Sequence, residues 1–455
     1  MRLALEDLRN CMDGVIPGTI ATCGVDGMPN ISFLSHVEFV DPQHVALSFQ
    51  FFNKTRENIL QHPHADVCVV DPYTGVTYHL TLQYLRTETS GPVFERMKAK
   101  LAGIASHEGM SDVFKLRGSD IYRVLQIEAP SGDLPPNPLP QRNLLAATRC
   151  YVTQVNRCSD LDELLQVTLQ GLREHLNIQH AMILMLDDAG QKLFTVASDG
   201  YDTSGVGAEV PLGHGVIGMA ARERCAIRIS FTAAEYSYSR AVRDSVLQGE
   251  LAAQLETAIP FAGLANPNSQ IAVPILAPQK LIGVLYADSN EAMHFRYDDE
   301  DVLMVMASQL GSAIASLQST AGSAIAEGEN ESHATHTATA SLADKVVVRH
   351  FAENDSIFIN DAYLIKGTAG AILWTLLNDY VQAGRRDFTN RGLRLDPRLR
   401  FPDFNDNLEA RLILLQKRLL DREAPIQLEK TGRGRFALNI SAHLQLHEVP
   451  HNGRR

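Results

Sequence analysis

Long apolar runs are missing from this 455-residue chain. Nothing approaches the roughly 18 residues that a bilayer-spanning helix needs. Met1-Arg2-Leu3-Ala4-Leu5 meets Glu6 and Asp7 before a leader-like apolar stretch can form, so a cytoplasmic chain without membrane attachment is expected. Cysteine is scarce: Cys11, Cys23, Cys68, Cys150, Cys158 and Cys225 are thinly spread and form no C-x-x-C pair. That pattern argues against a zinc cluster and fits free thiols in a reducing compartment. Positive charge is short as well, 41 Lys and Arg against 53 Asp and Glu, a net of −12 that speaks against generic coating of nucleic acid. There is no P-loop and no nucleophile elbow. His447-Glu448-Val449-Pro450-His451 has the letters of a zinc-protease motif, but Pro450 forbids the helix that would bring both histidines to one face. Gly432-Arg433-Gly434 does not lead a strand into a helix and is no dinucleotide fingerprint.

What is present divides into parts. A Pro-rich stretch at 131–142 and an Ala/Ser/Thr/Gly/His-rich stretch at 320–343 read as linkers, leaving domains at 1–130, 143–319 and 344–455. Each is long enough for its own core. The charge divides unevenly too: residues 344–455 hold 18 Lys and Arg against 14 Asp and Glu, a net of +4, so the remainder carries −16.

In the first domain, Thr19–Cys23 and Asn30–Leu34 alternate around Asp26-Gly27, a hairpin dipeptide, and Val45–Phe49 reads as a further strand. Asn53 is placed to cap a short helix whose first turn holds Lys54 and Arg56. Cations there oppose the helix macrodipole unless an anion lies between them and the free N–H groups. This order resembles the pyridoxamine-5′-phosphate-oxidase-like, FMN-binding split barrels, through Asp26-Gly27-Met28-Pro29, Ser48-Phe49, Asn53-Lys54-Thr55-Arg56 and His62-Pro63. The resemblance implies a barrel homodimer with FMN at its interface, and a cofactor set of Ser48, Phe49, Asn53, Lys54, Thr55 and Arg56. Tight binders in that group often carry a basic residue on the second strand, where this chain has Asn30-Ile31-Ser32. Relatives also hold haem or deazaflavin, and His36, His62, His64 and His79 keep haem open.

The second domain starts with a helix that Ser159 is expected to cap, with Leu161, Leu164, Leu165, Leu169 and Leu172 on its buried face. Strands are expected at 181–186, 225–229, 269–275 and 281–288, with the Gly213–Ala220 stretch continuing the alternation, and a closing helix at 299–317. The order resembles a GAF domain, through Gly213-His214-Gly215-Val216-Ile217-Gly218 and the hairpin from Val273-Pro274 to Ile282-Gly283-Val284-Leu285. A small-molecule ligand is implied. Asn290, Phe295, Asp299 and Glu300 match the cyclic-nucleotide signature, but Glu291 stands where lysine belongs. Residues 230–268 read as a lid, and Cys225 as a buried structural thiol.

The third domain offers a helix from Ala371 that ends before Gly384, a short one near Phe388-Thr389-Asn390, and a third over 407–423 capped by Asp406. A hairpin tipped by Thr431-Gly432-Arg433-Gly434-Arg435 follows. This resembles the winged-helix domains of response regulators. The resemblance implies a DNA partner, with Arg411, Arg418, Arg422, Lys430, Arg433 and Arg435 as the contacting set. The fold class expected is therefore multi-domain α+β: split β-barrel, then a GAF α/β sandwich of antiparallel sheet with flanking helices, then winged helix. No catalytic residue or metal ligand stands out. The functional expectation is a sensory regulator coupling FMN or small-ligand binding to DNA, the alternative being an FMN-dependent oxidoreductase with a regulatory GAF domain.

Overall fold

In the computed structural model the described residues are 3–449, leaving out 13, 15, 50–53, 108–115, 131–142, 188–189, 231–258, 260, 266, 279, 324–344, 361 and 400–406. The expected linker at 131–142, most of that at 320–343 and most of the expected lid lie outside them, as do Asn53 and Asp406; residues 320–323 instead end a long helix.

The N-terminal sheet runs, edge to edge, β2 (Pro29–Leu34), β1 (Gly18–Cys23), β5 (His64–Val70), β6 (Thr77–Glu88), β7 (Gly118–Glu128), β4 (His44–Phe49) and β3 (Val37–Asp41). The β1–β2 turn forms as its sequence demands: Asp26 Oδ1 accepts from the Met28 N–H at 3.1 Å, and Gly27 takes a φ of +76° that few other residues tolerate. Helix α1 (Lys54–Gln61) follows β4, and α2 (Pro92–His107) sits between β6 and β7. Strands β3, β5, β6 and β7 were not read from the sequence.

The central domain packs a six-stranded sheet between helices. Its order is β10 (Glu209–Pro211), β9 (Lys192–Asp199), β8 (His180–Leu186), β13 (Lys280–Ser289), β12 (Ser269–Ala277) and β11 (Ile227–Ile229). On β8, Ile183 and Met185 face a core shared with α3 (Leu144–Val155), α4 (Leu161–Leu176) and α6 (Tyr297–Ser323). The alternate residues Met182 and Leu184 face α5 (Gly215–Glu223), so the strand is buried on both sides. Two local expectations are corrected. The Gly213–Ala220 stretch enters a helix, not a strand, because its apolar residues pack at helical spacing. The cap of α4 is Asp160, whose carboxylate accepts from the Glu163 N–H at 3.1 Å, while Glu163 reaches back to the Ser159 N–H at 2.8 Å in a shifted capping box.

The C-terminal region is two small sheets around three helices. One sheet runs β16 (Ala362–Ile365), β15 (Ser356–Ile359), β14 (Lys345–Phe351) and β20 (His443–Val449), and the other β17 (Asp387–Thr389), β19 (Arg435–Ile440) and β18 (Ile426–Gly432). The helices are α7 (Thr368–Ala383), α8 (Asn390–Arg394) and α9 (Leu408–Asp421). Gly384 ends α7 at a φ of +65°, as its position predicted. His447, Glu448 and Val449 lie on β20, so the described part of the zinc-like motif is a strand and not a helix.

Candidate ligand sites

Strand β2 lies against the start of α1. Asn30 Nδ2 donates to Thr55 Oγ1 at 2.8 Å, and the Ser32 and Thr55 hydroxyls bond at 2.9 Å. Lys54 is exposed and 4.0 Å from Glu57. A helix start, one exposed ammonium, two hydroxyls and an amide make a donor set that fits a phosphate monoester. Arg56 does not join it. Its Nη1 donates to both oxygens of Asp120 at 2.5 Å, its Nη2 to Thr87 Oγ1 at 2.8 Å, and its guanidinium lies 4.5 Å from the Phe49 ring centroid. Asp120 is buried, so Arg56 neutralises an internal carboxylate, and Phe49 serves as its platform. Ser48 Oγ accepts from the His36 N–H at 3.2 Å. The helix-start charge pattern could not reveal Asp120, which arrives from β7, 64 residues away.

The four histidines left open for haem are dispersed. His36 is buried with Nε2 2.9 Å from Glu38, and His62, His64 and His79 are exposed. Among the described residues no group of three His, Cys, Asp or Glu is arranged to hold a metal ion.

A charged cluster joins the first two domains. Glu38, fully buried, accepts from Lys100 Nζ at 2.8 Å and lies 3.3 Å from Arg96 Nε. Burial pushes its carboxyl up, but Lys100, His36 and Arg96 outweigh that and hold it well below the ordinary range. Lys100 also reaches the Tyr297 hydroxyl at 3.4 Å across the domain boundary. The Tyr297 ring has Arg9 and Arg228 over it at 4.4 and 4.1 Å. Arg9 pairs with Asp301 at 2.6 Å, so the first domain is pinned to the start of α6.

On the α5 side of the central sheet, a polar cluster surrounds Asp288. One carboxylate oxygen accepts from the Tyr201 hydroxyl at 2.9 Å; the other accepts from the Leu264 N–H at 3.1 Å and faces the Tyr286 hydroxyl at 3.4 Å. Tyr286 in turn donates to Gln270 Oε1 at 3.0 Å. Burial raises the Asp288 pKa, outweighing the hydrogen bonds from Leu264, Tyr201 and Tyr286 and the nearby His180, which lower it. The nucleotide-like letters are structural: Phe295 is core, Asp299 accepts from the Arg296 N–H at 2.9 Å, and Glu300 pairs with Arg228 at 2.8 Å. Burial lifts the Cys225 thiol to about 11, which suits an inert thiol.

The cations assigned to DNA divide. Arg422, Arg433 and Arg435 are exposed. Arg418 is buried, donating to the Leu364 carbonyl at 3.2 Å; Arg411 lies 3.9 Å over the Phe194 ring; and Lys430 bonds Asp160 at 2.5 Å. Arg411 and Arg418 therefore face the protein, which corrects their reading as groove-facing residues. The sequence showed one apolar stripe on α9, whereas the helix is covered on two sides.

The family comparison rests on two matches. Residues 5–125 match the model for pyridoxamine 5′-phosphate oxidase, and residues 158–315 match that for the GAF domain. The chain joins a pyridoxamine-5′-phosphate-oxidase-like domain to a GAF domain. Neither match reaches the C-terminal region, whose two small sheets and three helices are not shown to be a winged helix. No curated protein matches the chain. Among solved structures, the GAF domain of an Acinetobacter phosphoenolpyruvate-protein phosphotransferase is 20% identical, covering 39% of this chain and 97% of its own, with a TM-score of 0.31. An FMN-binding protein from Syntrophomonas wolfei is 16% identical over 28% of this chain and 87% of its own, at 0.24. HupZ of Group A Streptococcus is 20% identical over 29% of this chain and 98% of its own, at 0.23. No helix among the described residues is long and apolar enough to cross a membrane.

Proposed function

We propose that this chain is a regulatory protein in which the oxidase-like domain holds FMN by its phosphate, the GAF domain holds a small ligand, and residues 344–455 deliver the output to DNA. The observation carrying the flavin reading is the cradle where Asn30 and Ser32 meet Thr55 beside Lys54. When bound, the flavin supplies redox chemistry. The protein residues hold its phosphate: Lys54 by charge, Thr55 and Ser32 by their hydroxyls, and Asn30 by its amide.

The output reading is supported by element order, three helices followed by a hairpin, and by the exposed Arg433 and Arg435 at its tip. We also propose a homodimer. The edge strand β2 leaves Ile31 and Phe33 exposed at 74% and 83%, an apolar pair that a second copy would cover. The test is native mass spectrometry with an absorption spectrum of freshly purified protein, then binding of residues 344–455 to duplex DNA at several salt concentrations. Flavin bands on a dimer and a steep salt dependence support the reading. A Soret band near 400 nm, or no DNA shift at low salt, overturns the corresponding part.

A further inference from the structure

Helix α9 has two working faces. Leu408, Leu415 and Leu419 serve the buried core, whereas Asn407, Arg411, Leu414, Lys417 and Asp421 recur every three or four residues toward the GAF domain. Asn407 Nδ2 donates to the Leu186 carbonyl at 3.0 Å, and Lys417 Nζ donates to the Val196 carbonyl at 3.2 Å. Ser204 Oγ donates to Asp421 Oδ2 at 2.5 Å. In the output reading above, on which this inference rests, α9 is the helix that would enter a DNA groove. Its cationic face is already taken.

The segment that receives α9, residues 200–208 between β9 and β10, also touches the polar cluster of the GAF domain. Its first part carries Tyr201, bonded to Asp288. Its middle is fixed by Gly205, at a φ of +54°, where a Cβ would stand 2.5 Å from the Ala262 backbone nitrogen. Ala262 lies two residues before Leu264, whose N–H also bonds Asp288. Its last part presents Gly207, at a φ of +90°, where a Cβ would meet Ile259 at 2.6 Å, then Leu414 at 3.3 Å and Arg418 at 3.6 Å. One short segment thus has the Asp288 cluster at one end and α9 at the other.

We propose that residues 200–208 are a latch. With Tyr201 bonded to Asp288, the segment seats α9 on the GAF sheet and holds the output closed. A polar ligand that takes over Asp288 or Tyr201 draws the segment away and frees the helix. The physical link is continuous: a hydroxyl–carboxylate bond, a glycine packed on backbone, and a second glycine packed between Ile259 and the helix.

The experiment uses the full chain carrying Ser204→Cys with Asp421→Cys, two side chains that touch only when α9 is seated. Mild oxidation should cross-link them, read by mass spectrometry of peptides. Adding Tyr201→Phe should raise about fivefold the rate at which the reduced thiols are alkylated, which reports the open fraction; that is the shift one hydrogen bond of roughly 1 kcal/mol supplies. Thermal unfolding of the same variant, its midpoint lowered by no more than about the few degrees one hydrogen bond is worth, separates release of the latch from loss of fold. The oxidised chain should bind duplex DNA more weakly than the same chain after reduction. No cross-link, or an alkylation rate indifferent to Tyr201→Phe, overturns the latch. If cross-linking behaves as expected but neither redox form binds DNA, the latch stands and the DNA reading falls.

Discussion

Replacing Arg56 by alanine should damage the fold rather than only the ligand site. The guanidinium makes two bonds to Asp120 and one to Thr87, and its partner carboxylate side chain is 6% exposed. Deleting one member of such a buried pair leaves a charge in poor solvent, at a cost of about 3–5 kcal/mol. Thr87 Oγ1 still donates to Asp120 at 2.5 Å, which keeps the loss toward the lower end. For a domain of this size that is a midpoint lowered by roughly 10–20 °C. Calorimetry of the full chain is the assay. The single tryptophan, Trp374, stacks on His350 in the C-terminal region, and its fluorescence should not follow the lost transition. Arg56→Met combined with Asp120→Leu, which removes both charges and keeps volume, should recover most of the loss. Native stability in Arg56→Ala together with a hundredfold weaker grip on FMN would refute the reasoning and restore Arg56 to the phosphate.

Lys54→Ala should leave the midpoint unchanged and weaken FMN by about tenfold or more, the worth of one charge-assisted bond, while Asn30→Arg should tighten it; both are read by fluorescence titration. Lys100→Met should lower stability by about 3–5 kcal/mol in urea unfolding, because Glu38 loses its closest cation. The depressed Glu38 carboxyl adds stability at neutral pH that fades as pH falls below the ordinary carboxylate range, so Glu38→Gln should flatten the acid limb of a stability–pH curve. Phe33→Lys should yield monomers in sedimentation, and an unchanged dimer mass would move the interface elsewhere.

Much of this architecture is legible in local sequence. Asp26-Gly27 sets its hairpin, the leucines of α4 set their buried face, and Gly384 ends its helix where expected. What escapes is non-local. Asp120 and Arg56 meet across 64 residues, and nothing near Lys54 signals which of the two cations has an internal partner. The second face of α9 is mostly polar, Asn407, Arg411, Lys417 and Asp421, and reads as solvated until β9 is placed beside it. Gly213–Ala220 misleads because a glycine-interrupted apolar run fits a short buried helix as well as a strand. The Asp288 cluster gathers residues from two strands and two loops, and single-strand patterning cannot foresee it.

The most direct measurement titrates apo full-length protein with FMN and with riboflavin, which differ in the phosphate. A strong preference for FMN is expected, with Lys54→Ala erasing most of it and stability unaffected. Equal affinity for the two ligands in the native chain would contradict a phosphate-anchored site at the start of α1.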